Sequence, residues 1–383
     1  MRKCNGACPR YISDRCSFCD MSGRRLTGMH FWMPAALAAF ALVAALAAPA
    51  ARAQQQPPTP PTPPTPSAAP AQPVGPAILS PGPSAARTPT TADEFDRYFK
   101  QVSNWGRWGA ADERGAANLI TEAKGKQAAA LVRLGRAVGL AHSPLTAKDL
   151  DNASPFEHTM NRGFSTDTYR VSYHGYAHSH LDALCHILYK DQTYNGYARA
   201  DINTETGCTK LGVQTFRNGY VTRGVLMDMA RHKGLPYLEP GTPLFVEDLE
   251  AWEKRAGVTV GPGDALFIRT GRWARRAAVG PWNVGQNAAG LHASTAAWLK
   301  ARGVALIGSD AALDVVPSLV TGINLPVHTL AITALGINIL DNQDLEALSE
   351  LAAGQKRWEF LLTVAPVPVT GGTGFPVNAL ATY

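Results

Sequence analysis

Between Tyr173 and Ile187 the chain reads YHGYAHSHLDALCHI, and this stretch holds four of its ten histidines: His174, His178, His180 and His186, with Asp182 among them. Leu181, Ala183, Leu184 and Cys185 make the surroundings apolar. Ionisable groups in an apolar run are costly to bury unless something pairs with them. A fold that buries this segment must therefore bring it a partner, and imidazole beside carboxylate at this density points to a divalent cation. His180 and Asp182 stand two apart, so on an extended strand both side chains face the same way. His186, six beyond His180, joins them if the strand continues or the following loop folds back. The plain alternative is a chance cluster on a solvated loop or in a satisfied core.

The first quarter of the chain cannot supply a core. Phe31 to Ala50 is almost wholly Ala, Leu, Val, Phe and Pro, with Arg24 and Arg25 before it and Ala51-Arg52-Ala53 after it. A charged start, an apolar run and an Ala-x-Ala site make residues 1–53 an upstream extension and secretory leader, cleaved after Ala53, which predicts a secreted or periplasmic protein. The run is also long enough to stay as a membrane anchor if uncleaved. Cys4, Cys8, Cys16 and Cys19 lie in this extension, in a spacing that could hold zinc but that cleavage would discard. Cys185 and Cys208 remain, enough for one bridge in an oxidising compartment.

The leader also explains the charge. Residues 1–53 carry seven Lys/Arg against two Asp/Glu, five of the six net positive charges of the whole chain. The remainder is nearly neutral and has no basic stripe with interleaved aromatics, so nothing points to nucleic acid. Residues 54–91 are rich in Pro, Ala, Gln and Thr with repeated PPTP, and predict an extended tether.

Residues 92–383 are left to fold. Helical periodicity is expected over 121–134, 246–255, 293–301, 328–335 and 344–353, and strands over 137–140, 169–173, 221–229, 265–269, 304–307, 337–340 and 359–364. Strands and helices mix irregularly, which predicts an α/β domain with a mixed sheet packed by helices.

HSHLDALCH, His178 to His186, resembles the His-x-Asp-x-Pro-x-His signature of the putative cyclase family, which includes bacterial kynurenine formamidases and isatin hydrolases. SNWGRWGAADERGAANLIT (Ser103 to Thr121), YNG (Tyr194 to Gly196), TRGVLMD (Thr222 to Asp228), LFIRTGRW (Leu266 to Trp273), IGSDAALD (Ile307 to Asp314) and GGTGFPVNALA (Gly371 to Ala381) resemble further landmarks of that family, in the same order. The resemblance implies a swivelling β/β/α domain, usually oligomeric, with a catalytic divalent metal. It implies His180, Asp182, His328 and Asp341 as metal ligands, the last at a position where the family usually has Glu. It implies His186 as proton donor and acceptor. Tyr176 stands where the formamidases carry another histidine; His174 and His178 are the imidazoles that could take its place. Losing that ligand favours one ion per chain, zinc or manganese. Leu184 replaces the usual Pro, a change in loop stiffness more than in chemistry. Trp108, Tyr176 and His178 are weaker candidates for contact with substrate, and Asp310 for holding a ligand histidine.

A cation held in this way sharpens a water and stabilises an oxyanion, while His186 moves the proton. The chemistry implied is hydrolysis of a carbon–nitrogen bond in a small molecule: an amide, a formamide such as N-formylkynurenine, or a lactam such as isatin. The alternatives are a metal-assisted cyclase, lactonase or dehydratase, and a periplasmic binding protein on a degenerate hydrolase scaffold.

Overall fold

The computed structural model describes residues 87–163 and 165–383. The leader and most of the proline-rich tether lie outside the described residues. The last residues assigned to the tether are seated on the domain: Pro89 is buried, the Arg87 guanidinium lies 3.9 Å over the Phe245 ring, and the Thr321 N–H donates to the Thr90 carbonyl. Among the described residues, no helix is long and apolar enough to cross a membrane.

One nine-stranded mixed sheet organises the domain. Its strands in chain order are β1 (Ala137–Gly139), β2 (His180–Asp182), β3 (Tyr220–Asp228), β4 (Ala265–Arg269), β5 (Leu306–Ser309), β6 (Asn338–Asp341), β7 (Glu359–Val364), β8 (Gly374–Pro376) and β9 (Leu380–Thr382). Their order in space is β1-β9-β7-β3-β4-β5-β6-β2-β8. The middle four run parallel, and every pairing outward from them is antiparallel. Parallel strands need helical crossovers and are buried on both faces. This is why β4 reads ALFIR, four apolar residues without alternation before Arg269, with all five residues buried.

The crossovers are α3 (Val246–Ala256) between β3 and β4, α4 (Arg272–Val279) and α5 (Thr295–Arg302) between β4 and β5, and a helical segment Pro326–Leu335 between β5 and β6. Earlier in the chain lie α1 (Ala92–Val102) and α2 (Glu122–Ala129), and α6 (Glu346–Gln355) follows β6. The expected mixed α/β architecture is the one observed. α1 was not among the expected helices, although Thr91 caps it by accepting from the Glu94 N–H, and Phe95, Phe99 and Val102 form its buried stripe. The helix expected over 121–134 stops at Ala129, because the Leu134 and Arg136 N–H groups are captured by the Tyr383 carbonyl beside β1. The strand expected at 169–173 ends at Arg170 and pairs with Glu157–Met160 in an exposed hairpin.

Cys185 and Cys208 form a disulfide, 23 residues apart in sequence. A bridge closing a loop of that size contributes about 3 kcal/mol through the unfolded state. Cys185 is therefore neither a nucleophile nor a free thiol.

Candidate metal centre

Sheet register solves the problem set by the sequence. β2 is antiparallel to β6, and His180 stands directly opposite Asp341. Residues 161 positions apart thus become cross-strand neighbours where the parallel block ends and antiparallel pairing begins. On the other side of β2 lies β8, with Gly374 opposite Asp182. A Cβ at Gly374 would sit 2.2 Å from the Leu181 carbonyl, so only glycine lets this strand close on β2. His180 and Asp182 share a face as the alternation predicts, and Leu181 between them is fully buried on the other.

Four histidines surround Asp182, and three of them belong to its ligand sets. His174 Nδ1 lies 3.0 Å from Asp182 Oδ1 and His180 Nε2 lies 3.2 Å from the same oxygen. His328 Nε2 lies 3.1 Å from Asp341 Oδ2 and 4.0 Å from Asp182 Oδ2. The ligand atoms fall into two sets, His174–His180–Asp182 and Asp182–His328–Asp341, in each of which all lie within 4.8 Å of one another. Asp182 belongs to both. His180, Asp182, His328 and Asp341, the four metal candidates of the sequence, are brought together.

Each of these imidazoles has its other nitrogen held. His180 Nδ1 is 2.7 Å from the His178 carbonyl, His174 Nε2 is 2.9 Å from Thr373 Oγ1, and His328 Nδ1 is 2.6 Å from Asp314 Oδ2. Such contacts fix which nitrogen faces the centre and raise its basicity. Asp314 also accepts from the backbone N–H groups of Val327 and His328, which pins the start of the helical segment that carries His328. Leu313, just before it, has φ +55, a left-handed conformation that a leucine rarely adopts. Asn342, just after Asp341, has φ +54. Two non-glycine residues in this region beside one cluster are the kind of local strain that gathers at functional sites.

The donor set fits a cation. Asp182 Oδ1, Asp341 Oδ1 and His174 Nδ1 are buried and have no hydrogen-bond partner. Orphaned buried polar atoms are rare, and all three belong to residues of the two ligand sets. Electrostatics agrees. Burial alone would depress His328, but the carboxylates of Asp341 and Asp314 outweigh it and hold the imidazole well above its ordinary range. Burial likewise opposes a charged His180, and Asp182 and Asp341 reverse the balance. Asp182 resists burial because His186 and His180 hold its carboxyl well below the ordinary range. Protons on these rings answer the buried carboxylates as a divalent ion would.

His186 is placed differently. Its Nε2 is 3.9 Å from Asp182 Oδ2, outside both ligand sets, and its ring lies flat on His174. Burial, with His174 adding to it, lowers its imidazole to about 4 despite Asp182. It is therefore neutral near pH 7 and free to take a proton.

The weaker candidates separate. Tyr176 stands between two cavities, one of about 250 Å³ that reaches His174 and one of about 620 Å³ walled by Val316 to Leu325. Its phenol is raised by burial and by the charges of Asp314 and Asp341, so it remains a proton-bearing donor. The Arg272 guanidinium donates to the Tyr176 carbonyl and to Asn342 Oδ1, and sits beside Asp151, which clamps this loop over the cluster. His178 is buried, but its Nε2 turns to the Ser154 carbonyl and its ring joins neither ligand set. Trp108 lines neither cavity beside the cluster; the Arg107 guanidinium lies 4.6 Å over its ring. Asp310 holds no ligand histidine: it accepts from the N–H groups of Thr270, Gly271 and Arg272 and so caps α4. That role belongs to Asp314, which the sequence showed only as the last residue of IGSDAALD.

Asp314→Asn keeps the shape but removes the charge facing His328 Nδ1, and its single amide oxygen can accept from only one of the Val327 and His328 N–H groups. It is expected to weaken metal affinity by about 10- to 100-fold, as loss of such a partner does elsewhere. Competition against a chromogenic chelator measures this, and unchanged affinity would remove Asp314 from the account.

Known proteins resemble this chain as follows. A family model described as putative cyclase matches residues 119–314. The crystal structure of a novel cyclase aligns at 30% identity and a TM-score of 0.67, over 74% of this chain and 100% of that one. Isatin hydrolase A from Ralstonia solanacearum aligns at 20% identity and a TM-score of 0.45, over 64% and 91%. A predicted metal-dependent hydrolase from Bacillus stearothermophilus aligns at 13% identity and a TM-score of 0.41, over 64% and 97%. No curated protein matches.

Proposed function

The chain belongs to the putative cyclase family, and from that premise we propose that it is a metal-dependent hydrolase of carbon–nitrogen bonds in small molecules. The observation that carries this reading is Asp182 standing in two His/Asp ligand sets with its Oδ1 otherwise unpartnered. His174, His180, Asp182, His328 and Asp341 would hold the ion. Nitrogen and oxygen donors in this mixture suit zinc or manganese. When bound, the ion supplies an acidified water and polarises the substrate carbonyl.

The remaining steps fall to the chain. His186, neutral and partly open to solvent, takes the proton from the attacking water and returns it to the leaving nitrogen. Tyr176 can donate to the substrate from across the cavity. The loss of a ligand at position 176 is made good by His174, so the ligand count accommodates a second ion, and elemental analysis decides between one and two. The same replacement removes the chief ground for a degenerate binding scaffold.

Secretion, cleavage after Ala53 and self-association complete the proposal; the Cys185–Cys208 bridge supports an oxidising compartment. The test is turnover of N-formylkynurenine, isatin and simple lactones by the purified metal-loaded protein, with products identified by mass. Ring-opened or deformylated products support the reading. Turnover of lactones alone would move it to the lactonase alternative, and no turnover by a metal-loaded protein would sink it.

Metal binding should also release protons. His180 is raised and His328 is raised well above its ordinary range in the metal-free protein, so an incoming ion must compete with protons on these rings. Affinity is therefore expected to rise with pH and to level off above those raised values. Calorimetry in buffers of different ionisation enthalpy reads the number released at pH 7; a value of zero would contradict these protonation states.

A further inference from the structure

His186 is held unlike its neighbours. Each ligand imidazole has one nitrogen fixed by a partner, but no hydrogen bond to the His186 ring is found among the described residues. The ring lies on His174 with centroids 3.7 Å apart and planes 4° apart, a contact that sets its plane but not its reach. Its aim must come from the backbone.

Two anchors flank it. On the C-terminal side, the Thr333 hydroxyl donates to the Ile187 carbonyl at 3.1 Å. On the N-terminal side stands Cys185, bridged to Cys208, with both residues only 1% exposed. Cys208 is itself tied down, its N–H donating to the Gly371 carbonyl at 2.8 Å. The contact is close: a Cβ at Gly207 would meet that carbonyl at 2.2 Å. Thr373, two residues along the same turn, holds His174 and accepts, through its carbonyl, the Ala183 N–H. One turn thus fixes both stacked rings, His174 through Thr373 and His186 through Cys208 and the bridge. Position 184 holds Leu, so no proline ring stiffens the chain between Asp182 and His186.

We propose that the Cys185–Cys208 bridge is the positioning element of His186, and that this site works at full rate only while the bridge is closed. The proposal rests on His186 being the proton shuttle. A dithiol reductant opens the bridge: the sulfur–sulfur bond breaks, two electrons and two protons pass to Cys185 and Cys208, and the reductant closes into its own disulfide. His186 then keeps the Ile187 anchor and its own N–H bond to the Ala183 carbonyl at 3.0 Å, but loses the tie through Cys185. The metal ligands keep theirs.

The experiment compares the wild type, the wild type reduced with dithiothreitol, and the double variant Cys185→Ala/Cys208→Ala, in each case measuring metal content, kcat, KM and the pH–rate profile. Metal content and KM are expected to hold, while kcat falls roughly 10- to 100-fold, the loss typical of a reacting group misplaced by about an ångström. The pH limb belonging to His186 should shift with it. Reduced wild type, with two thiols titrated, should match the double variant and recover on reoxidation, and the double variant should be indifferent to dithiothreitol. Wild-type kcat and pH profile in either bridge-free form overturns the proposal, as does loss of metal in parallel with rate. If the double variant fails to fold, reduced wild type of unchanged circular dichroism carries the test. Separately, His186→Ala with an undiminished rate would remove the shuttle reading itself, whatever the bridge-free forms do.

Discussion

Asp182→Ala is expected to lose metal and activity together. Its carboxylate is the one group common to both ligand sets, and Oδ1 and Oδ2 face different histidines. Removing it separates the sets and leaves His174 and His180 without an acidic partner in their set. Without the ion nothing lowers the pKa of the attacking water toward neutrality, so a rate loss of roughly 10³-fold or more is expected. Elemental analysis of the purified variant should find far less than one ion per chain. The fold is expected to survive, because Leu181 and Ala183 on either side are core residues and the Asp182 carbonyl keeps its bond from the Asn338 side chain. Loss of a buried carboxylate also frees the protonated rings beside it, so His180 should titrate lower in the variant, a shift visible by NMR. A variant that kept both its ion and its rate would show that the two sets are not the metal site.

Much of this arrangement was legible, and the rest was hidden for identifiable reasons. β4 and β7 could be read to the residue, because a glycine-rich turn delimits the first and an uninterrupted β-prone run defines the second. The His180–Asp182 pair followed from alternation alone. The choice between His174 and His178 did not: both are even steps from His180, so alternation favours neither. The difference is made by Gly175 at φ +133 within the turn 174–177, which swings His174 back to Asp182 and sends His178 to the Ser154 carbonyl. Asp314 was invisible for another reason. It lies 14 residues before His328 with no periodic relation to it, and the two meet only because the helical segment begins against the loop after β5. The missed α1 carried its signal openly, in a capping threonine and a stripe at 95, 99 and 102, but sat beside a tether that drew the reading toward extended chain.

Replacing His186 with Ala should give the opposite pattern to Asp182→Ala: metal retained, rate lost. The ring lies outside both ligand sets, 3.9 Å from the nearest Asp182 oxygen, so the ion keeps all its donors. General acid–base catalysis contributes about 10²- to 10⁴-fold, and kcat should fall by that amount. The sign of the pH dependence follows from the lowered imidazole. In the wild type, His186 accepts a proton only while neutral, so kcat/KM should fall as pH drops through about 4, and a bound cation pushes that limb lower still. In His186→Ala the limb should vanish, and added imidazole should restore part of the rate by occupying the gap beside His174. His186→Gln separates shape from chemistry: it fills the space and stacks poorly, but cannot shuttle a proton, so it should resemble Ala in kcat. Undiminished turnover in both variants would transfer proton movement to another group. Tyr176 would then be the residue to test, since its phenol lines both cavities, keeps its proton and feels the charges of Asp314 and Asp341.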